Sequence, residues 1–253
     1  MTFPGRVRLR PTIFQNGVVN AASGEIGRGL APGSYISIFG RNLSEAQRVY
    51  TTPYLPLSLA GTSVSFDVPE RKLSLPGRLH FVSEGQINVQ IPWELRGINS
   101  AQLKVSIGAL SESALYTLPL YDYSPAFFEI ADPAGSGRVI VAALDEGFRV
   151  ITSANRARRG RIAQLYANGL GPVDNTPPSG EATPAAPLAR TLERPEVSVG
   201  GRLAAVQFSG LSPGSVALYQ VHIVVPQELS PGLYEVVMTQ GGVRSKAALL
   251  YVD

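Results

Sequence analysis

The chain has 253 residues, of which 44% are hydrophobic and 16% are charged, and its formal net charge is +3. The absence of cysteine excludes a disulfide scaffold, a thiolate zinc site, an iron–sulfur cluster and a cysteine nucleophile. No stretch approaches the roughly 18 consecutive apolar residues of a membrane span, so we expect no transmembrane helix.

The first eleven residues form an arm in which arginines alternate with apolar residues. In an extended strand its apolar side chains share one face and its arginines share the other. Such a strip can add to an exposed sheet edge, in the same chain or in a second subunit. We therefore predict that the arm binds a protein partner or mediates self-association. The candidate residues are Arg6, Val7, Arg8, Leu9 and Arg10.

The rest of the chain has a β pattern. Short runs alternate apolar and polar residues between Gly- and Pro-containing turns, which predicts strands with one buried face. Strands that recur at short intervals with turn signals between them are typical of a sandwich or barrel. Only residues 92–95 suit a short helical turn. The predicted strands include residues 35–39, 86–91, 103–107, 197–199, 221–225 and 235–238.

An internal repeat divides the chain. Residues 86–95 (QINVQIPWEL) align without gaps with residues 220–229 (QVHIVVPQEL). Similar blocks precede and follow both copies in the same order, so two copies of one β domain are the simplest explanation. These flanking blocks are residues 33–43 and 160–170 before the copies, and residues 103–108 and 236–241 after them.

Each copy has about the size of an immunoglobulin-like sandwich. We therefore predict an arm at residues 1–11 followed by two domains, at residues 12–123 and 124–253. Within the second domain, residues 138–151 predict an additional hairpin with a Gly-containing turn. The Pro-rich stretch 174–187 predicts a surface loop.

Several blocks together carry a family resemblance. They are residues 18–23 (VVNAAS), 30–34, 37–43, 85–92 (GQINVQIP), 166–172 (YANGLGP), 187–190, 208–214 and 218–221. In this combination and order they resemble the Solibacter-type C-terminal domain, a family common in acidobacteria. Each half also resembles, more weakly, the IPT/TIG branch of immunoglobulin-like domains, through a shared Gly-x-x-x-x-Ile/Leu-x-Gly/Ala-x-x-Leu block.

The resemblance implies an all-β fold of two tandem IPT/TIG-like immunoglobulin-like β-sandwiches. Members of the family usually lie at the C-terminal end of large exported proteins and have no established biochemical function. The resemblance therefore implies an extracellular or cell-surface location after removal of a leader, although the N-terminal residues of the chain contain no apolar signal-peptide segment.

No catalytic constellation is predicted. Residues 210–214 (GLSPG) match the G-x-S-x-G pattern, but Pro213 and a strand pattern follow Ser212 where a nucleophile elbow requires a helix. His222 is the only plausible base for such a serine, and its alternation with apolar neighbours indicates a polar strand position. An enzyme of unknown type would require a pocket with perturbed titratable groups around His222, Glu94 or Glu228.

No metal or cofactor site is predicted either. The chain has no zinc-ligand spacing, phosphate loop or dinucleotide fingerprint. The nearest calcium-like cluster, Asp145 and Glu146, is explained by a hairpin turn. The arginine-rich segment 156–161 is typical of a solvated surface, so we expect no nucleic-acid partner. If the chain did bind a nucleic acid through this segment, the affinity would depend strongly on salt concentration.

The aromatic residues allow two interpretations. Ten Tyr and nine Phe could supply a sugar-stacking platform, but core and interdomain packing is the favoured explanation. The tyrosines considered are Tyr50, Tyr54, Tyr116, Tyr121 and Tyr123. Trp93 stands where the second copy has Gln227, so it is a candidate either for filling the interdomain seam or for anchoring a partner.

These observations favour a non-enzymatic extracellular structural, adhesion or assembly module that acts through sheet edges and loops. The alternative is a carbohydrate-binding accessory module of secreted proteins, which predicts clustered exposed aromatic side chains and a saturable affinity for sugars. An enzyme of unknown type is the lowest alternative.

Overall fold

The computed structural model describes residues 10–26, 29–51, 53–109 and 111–253. Within these ranges the chain is all-β, with two single-turn 3₁₀ helices at Pro69–Arg71 and Trp93–Leu95 and no α-helix. The predicted fold class is therefore confirmed. None of the helices in the described ranges is long and apolar enough to span a membrane. Four arm residues, Arg6, Val7, Arg8 and Leu9, lie outside the described residues.

The first half of the molecule, residues 10–123, contains two antiparallel sheets. Sheet I has the strand order β1-β2-β8-β7-β3, and sheet II has the order β10-β9-β5-β4, with β11 on β9 and β6 on β5. The strands are β1 (Thr12–Asn20), β2 (Tyr35–Arg41), β3 (Arg48–Val49), β4 (Ser58–Leu59), β5 (Thr62–Val68), β6 (Leu73–Pro76), β7 (Arg78–Val82), β8 (Gln86–Gln90), β9 (Ser100–Ile107), β10 (Ser111–Glu112) and β11 (Tyr116–Pro119).

The strands form where the sequence alternates. In β5 the residues Val64, Phe66 and Val68 are buried, while the intervening Ser65 and Asp67 are partly exposed. Successive side chains of a strand point to opposite faces, so this alternation buries one face of sheet II against sheet I. The buried residues of both sheets form one hydrophobic cluster in the first half.

The second half, residues 124–253, is built around a nine-stranded antiparallel sheet III and a small pair, β13-β14. Sheet III has the order β12-β16-β19-β18-β17-β20-β21, with β15 on β16 and β22 on β20. The strands are β12 (Ala126–Phe127), β13 (Glu129–Ala131), β14 (Val139–Val141), β15 (Ala143–Leu144), β16 (Ile162–Asn168), β17 (Glu196–Val199), β18 (Arg202–Leu211), β19 (Tyr219–Val224), β20 (Gly232–Gln240), β21 (Val243–Arg244) and β22 (Ala248–Val252).

Strand β18 connects two layers of the second half. Its first residues, Arg202–Ala204, pair with β17, and its later residues, Ala205–Leu211, pair with β19 across a register shift between Val206 and Phe208. A bulge of this kind bends a strand and increases its twist, which lets one strand belong to two layers. The hydrophobic core of this half lies between those layers.

The repeated sequence blocks occupy matching places. In the first half β2 pairs with β8, and in the second half β16 pairs with β19. The neighbouring strands also match, because β8 pairs next with β7 and β19 pairs next with β18. The repeat is therefore one of topology as well as of sequence. The division into two domains at residue 123 stays a prediction.

Two local predictions need correction. The hairpin expected over residues 138–151 is shorter, because Val139–Val141 pairs with Glu129–Ala131 instead of with the residues after the turn. The predicted turn is closed by the Leu144–Val150 bridge and by backbone hydrogen bonds from Asp145 to Arg149 and from Ile151 to Ala143. The stretch 174–187 has no strand, as expected, but part of it is buried against the first half. Residues 174–187 are called the strap.

A buried asparagine network holds the two halves together. The fully buried Asn168 accepts a hydrogen bond from the backbone N–H of Tyr35 at 3.0 Å and donates to the carbonyl of Tyr35 at 2.8 Å. Asn168 Nδ2 also lies 2.9 Å from Asn20 Oδ1, and Asn20 Nδ2 donates to the carbonyl of Ser124 at 2.8 Å. Backbone groups of both halves thus depend on two side chains for their hydrogen bonds.

Replacing Asn168 with alanine should destabilise the protein by about 2–4 kcal/mol, because the part-buried Tyr35 N–H loses its acceptor and the Tyr35 carbonyl, which still accepts from the Ala21 N–H, loses one of its two donors. Urea unfolding of Asn168→Ala measures this change. Asn175→Ala is the matched control, because Asn175 makes one exposed bond to the Pro187 carbonyl and should lose under about 1 kcal/mol. Equal effects of the two variants would show that the network does not stabilise the seam.

Candidate functional site

A cavity of about 480 Å³ lies at the seam between the two halves. Its volume is within the range of about 300–1,000 Å³ that is usual for small-molecule sites. Aromatic rings and small polar side chains alternate around it, and both halves contribute. The lining residues are Ala21, Tyr35, Tyr50, Thr51, Pro53, Leu55, His80, Asn88, Phe128, Gly214, Ser215, Val216 and Leu218.

The outer face of sheet I supplies one wall. Tyr35 on β2 and Asn88 on β8 alternate with the fully buried residues Ile36 and Ile87, so the pleat directs them away from the core of the first half. His80 on β7 stands beside Tyr35, with the ring centroids 5.8 Å apart. In an isolated sandwich this face would lie in water. In this protein the second half faces it across the cavity.

The second half supplies the opposite wall through the turn before β19. Gly214 has a positive φ of 76°, and its N–H donates to the carbonyl of Thr183 at 2.8 Å. The N–H of Ser215 donates to the carbonyl of Ser212, so the turn is fixed by its own backbone. The buried Val216 packs with Leu55 of the first half in a small hydrophobic cluster beneath the cavity.

The strap, residues 174–187, closes the seam beside the cavity. The N–H of Leu55 donates to the carbonyl of Gly180, and the N–H of Ala182 donates to the carbonyl of Pro53, each at 2.8 Å. The side-chain carbonyl of Gln90 accepts from the N–H of Gly180 at 2.7 Å. The second half therefore positions Pro53 and Leu55, the two residues of this loop segment that line the cavity in the first half.

Several polar groups of the lining have no protein partner among the described residues. Asn88 Oδ1 accepts from Ser37 and from Gln86, which leaves its Nδ2 donors without a bond. No hydrogen bond within the described ranges involves the Tyr35 hydroxyl, the His80 ring or the Ser215 hydroxyl. Buried and half-buried polar groups normally have partners. These groups are therefore positioned to bond a ligand or solvent.

The described part of the lining contains no acidic side chain and no lysine or arginine. Burial raises the pKa of Tyr35, so its hydroxyl stays neutral and can both donate and accept a hydrogen bond. The site is suited to a neutral molecule with apolar faces and hydroxyl or amide groups.

Trp93 lies at the seam but does not line this cavity. Its side chain is 8% exposed and packs with the hydrophobic core of the second half. A methyl group added to Gly33 would lie 2.2 Å from the indole ring, so the ring requires a glycine there. Ser179 of the strap accepts from the backbone N–H of Trp93 at 2.9 Å and donates to Glu94 at 2.7 Å. The role of Trp93 as an anchor for a separate partner stays a prediction.

The structure does not assemble the candidate catalytic groups. His222 packs against Phe208, with ring centroids 5.1 Å apart, and burial lowers its pKa. Glu94 is bonded to the strap, and Glu228 is exposed beyond β19. Ser212 begins the turn before β19, as its sequence predicts. No hydrogen bond or ion pair within the described ranges joins any two of these four residues.

The possible calcium cluster is a closed turn. Burial acts to raise the pKa of Asp145, but hydrogen bonds from Arg149, Asn155 and Gly147 outweigh it and lower that pKa to about 2. Glu146 accepts from the backbone of Ile162. The described residues contain no group of three or more metal-ligating side chains.

The fold and cavity define an all-β protein with a ligand-sized site between two sandwich-like halves. No protein-family model matches the chain, and no curated protein gives a significant match. The membership suggested by the Solibacter-type blocks therefore stays a prediction.

Three solved structures have a distant similarity to this chain. SGBP-B of the Bacteroides ovatus mixed-linkage glucan utilization locus, solved with a mixed-linkage heptasaccharide, has 12% identity and a TM-score of 0.34 over 90% of this chain and 45% of that chain. SGBP-B from a Bacteroides uniformis xyloglucan utilization locus has 12% identity and a TM-score of 0.27, over 96% and 50% of the two chains. The plexin A4 extracellular region has 11% identity and a TM-score of 0.27, over 96% and 29%. The chain spans half the length of these structures or less, and similarity at this level carries no functional argument.

Sequence reasoning missed Tyr35, His80 and Asn88 as site residues. Each stands at a polar position of an alternating strand, which normally indicates a solvent-facing side chain. Only Tyr50 of the cavity belongs to the tyrosines that the sequence suggested for sugar stacking. The available signal was the presence of aromatic residues, Tyr35 and His80, at outward positions on two strands of the same sheet.

The raised tyrosine pKa values predict a loss of stability in alkali. An unfolded tyrosine ionises near pH 10, whereas burial keeps Tyr35 and Tyr219 protonated to higher pH in the folded protein. Above about pH 10 the unfolded chain therefore binds fewer protons than the native chain, and the free energy of unfolding falls by about 1.4 kcal/mol per pH unit for each tyrosine. Urea unfolding of Tyr35→Phe across this range should give a shallower slope. An unchanged slope would contradict the burial of this hydroxyl.

Proposed function

We propose that the protein is a carbohydrate-binding module that holds a neutral sugar in the cavity between its halves. The observation that carries the proposal is the set of unpartnered polar groups beside aromatic rings: the Tyr35 hydroxyl, the His80 ring and Asn88 Nδ2 converge on one ligand-sized space. Binding sites of this kind use apolar walls for affinity and a few fixed polar groups for orientation.

The chemistry of the lining favours a sugar over other small molecules. A sugar ring has C–H faces that pack on aromatic side chains such as Tyr50 and Phe128, and hydroxyls that both donate and accept hydrogen bonds. Among the residues that the structure describes, no arginine or lysine lines the cavity to pair with a phosphate or carboxylate. A nucleotide or a uronic acid would therefore lack a charge partner, whereas a neutral hexose has partners for its hydroxyls.

The setting of the module follows from the sequence resemblance. Members of the Solibacter-type family lie at the ends of exported proteins, so we propose an extracellular or cell-surface accessory role that holds a protein on a glycan. The proposed role is non-enzymatic, and binding alone performs it.

Blocking the cavity should abolish sugar binding at this site. Ser215→Phe places a ring in the cavity, and Asn88→Ala removes the free amide donors; each should weaken binding by at least about tenfold. A panel of neutral and acidic polysaccharides in affinity gels finds the ligand, and calorimetry with its short oligosaccharides measures the dissociation constant.

Tyr54→Ala is the matched control, because Tyr54 lies in the same loop as Tyr50, is 65% exposed and does not line the cavity. It should leave the affinity unchanged. Thermal unfolding separates loss of binding from loss of fold. Wild-type binding that survives Ser215→Phe in a folded protein would place the ligand elsewhere.

A second candidate function is self-assembly through the arm. Arg10, the one arm residue of the candidate set that the structure describes, donates from Nε to the carbonyl of Glu112 at 2.7 Å. Glu112 belongs to β10, an edge strand of sheet II. The chain therefore enters the fold beside a sheet edge, and a sheet edge is where an added strand could pair.

Removal of residues 1–9 tests this candidate. If the arm joins subunits, light scattering after gel filtration should show a defined oligomer for the whole chain and a monomer for the truncated chain. The same mass for both forms would exclude arm-mediated assembly.

A further inference from the structure

Tyr121 forms the shared wall of two further cavities, of about 370 and 340 Å³. Ser23, Tyr123 and Arg244 are among the residues of the first, and Asn99 and Asp122 are among those of the second. The Tyr121 side chain is 59% exposed, so the two cavities are the two sides of one groove with an aromatic ring between them. This groove is named the Tyr121 groove. None of its residues lines the cavity described above.

The backbone fixes the position of Tyr121. Its N–H donates to the carbonyl of Leu30 at 3.0 Å, and Leu30 forms a parallel bridge with Leu120. A methyl group added to Gly29 would lie 1.5 Å from Cδ2 of the Tyr121 ring, so the ring stands directly over the Gly29 α-carbon. The ring is therefore supported from below by glycine while more than half of the side chain remains exposed. An exposed ring that is already ordered loses little entropy when a ligand packs on it.

The neighbouring tyrosine has a different role. Tyr123 packs on Gly171 and Gly241 of the second half, where an added methyl group would lie 2.5 and 2.1 Å from its ring atoms. Burial and the nearby Glu193 raise the pKa of Tyr123. Tyr123 thus contacts both halves at the seam, whereas Tyr121 is 59% exposed and presents its ring to the groove.

The groove has polar groups on both sides of the Tyr121 ring, among them the Asp122 carboxylate, which can accept hydrogen bonds from sugar hydroxyls and would repel an acidic glycan. Asn99 and Asp122 stand on one side of the ring, and their side chains make no hydrogen bond within the described ranges. On the other side, Glu25 and Arg244 already interact with other residues of the chain. A ligand that crosses the ring would meet an apolar surface at the centre and hydrogen-bonding groups at both ends. Two cavities that meet at one ring require a ligand longer than a single sugar.

We propose that the Tyr121 groove is a second glycan subsite, which binds the length of a neutral polysaccharide chain while Tyr121 stacks on one of its sugar rings. The choice of a glycan as ligand rests on the proposed function. The asparagine network joins Tyr35, in the wall of the first cavity, to Ser124, in the wall of the groove. The two sites are therefore held at a fixed separation, and a polysaccharide with many repeats can occupy both sites from different segments or different chains.

The test compares retardation in native gels that contain each polysaccharide of the panel with calorimetry of short oligosaccharides cut from the retarding one. Tyr121→Ala should weaken retardation by at least about tenfold and lower the number of oligosaccharide molecules bound per chain from two to one. Tyr121→Phe keeps the ring and should retain most of the binding. Leu115→Ala, which truncates another exposed apolar side chain of the first half (62% exposed), should change nothing.

Combination with Ser215→Phe separates the two proposals. The double variant Ser215→Phe, Tyr121→Ala should lose all retardation, while each single variant keeps part of it. If Tyr121→Ala behaves as wild type while Ser215→Phe abolishes binding, the second subsite is wrong and the proposed function stands. If Ser215→Phe has no effect and Tyr121→Ala abolishes binding, the groove is the glycan site and the cavity is not. A wild-type chain that no polysaccharide retards overturns both.

Discussion

The fixed contact between the two halves is the constraint on which the rest of the structure depends. Asn168 and Asn20 provide hydrogen bonds to backbone groups of both halves inside the seam, so neither side chain can be removed without leaving a backbone group there without one of its partners. The strap adds backbone hydrogen bonds from the second half to residues 53–55 of the first. Tandem domains joined by a short linker commonly move relative to each other. In this protein the polar seam and the packed Trp93 oppose such motion.

The candidate sites are consequences of this seam. One face of sheet I points away from the core of the first half. The turn at residues 214–218 lies over that face, which thereby becomes a wall of the cavity. The polar groups without a protein partner follow from the same placement. Tyr35, His80 and Asn88 stand on the outward face of sheet I, and the second half encloses them only in part. Tyr121 depends on the seam less directly. Its ring rests on Gly29 within the first half, while residues 243 and 244 of the second half complete one side of its groove.

The sequence predicted the elements well where periodicity was strong. The alternating runs at 35–39 and 86–91 lie in β2 and β8, and the repeat placed β16 and β19 in the corresponding positions. The hairpin at 138–151 was predicted too long, because Val139–Val141 finds a partner strand, β13, that no local pattern reveals. The strap was predicted only as a surface loop, since a Pro-rich polar stretch carries no signal for the surface on which it packs.

The sequence by itself determined the all-β class, the internal repeat and the absence of thiol chemistry, because these depend on composition and on a period of two that each strand carries locally. The candidate site was decided by tertiary structure alone. Tyr35, His80 and Asn88 have the pattern of solvated residues, and only the approach of a segment more than 100 residues away encloses them. That approach is set by a few long-range hydrogen bonds of Asn20, Asn168 and Gln90, whose partners cannot be deduced from the residues beside them in the chain.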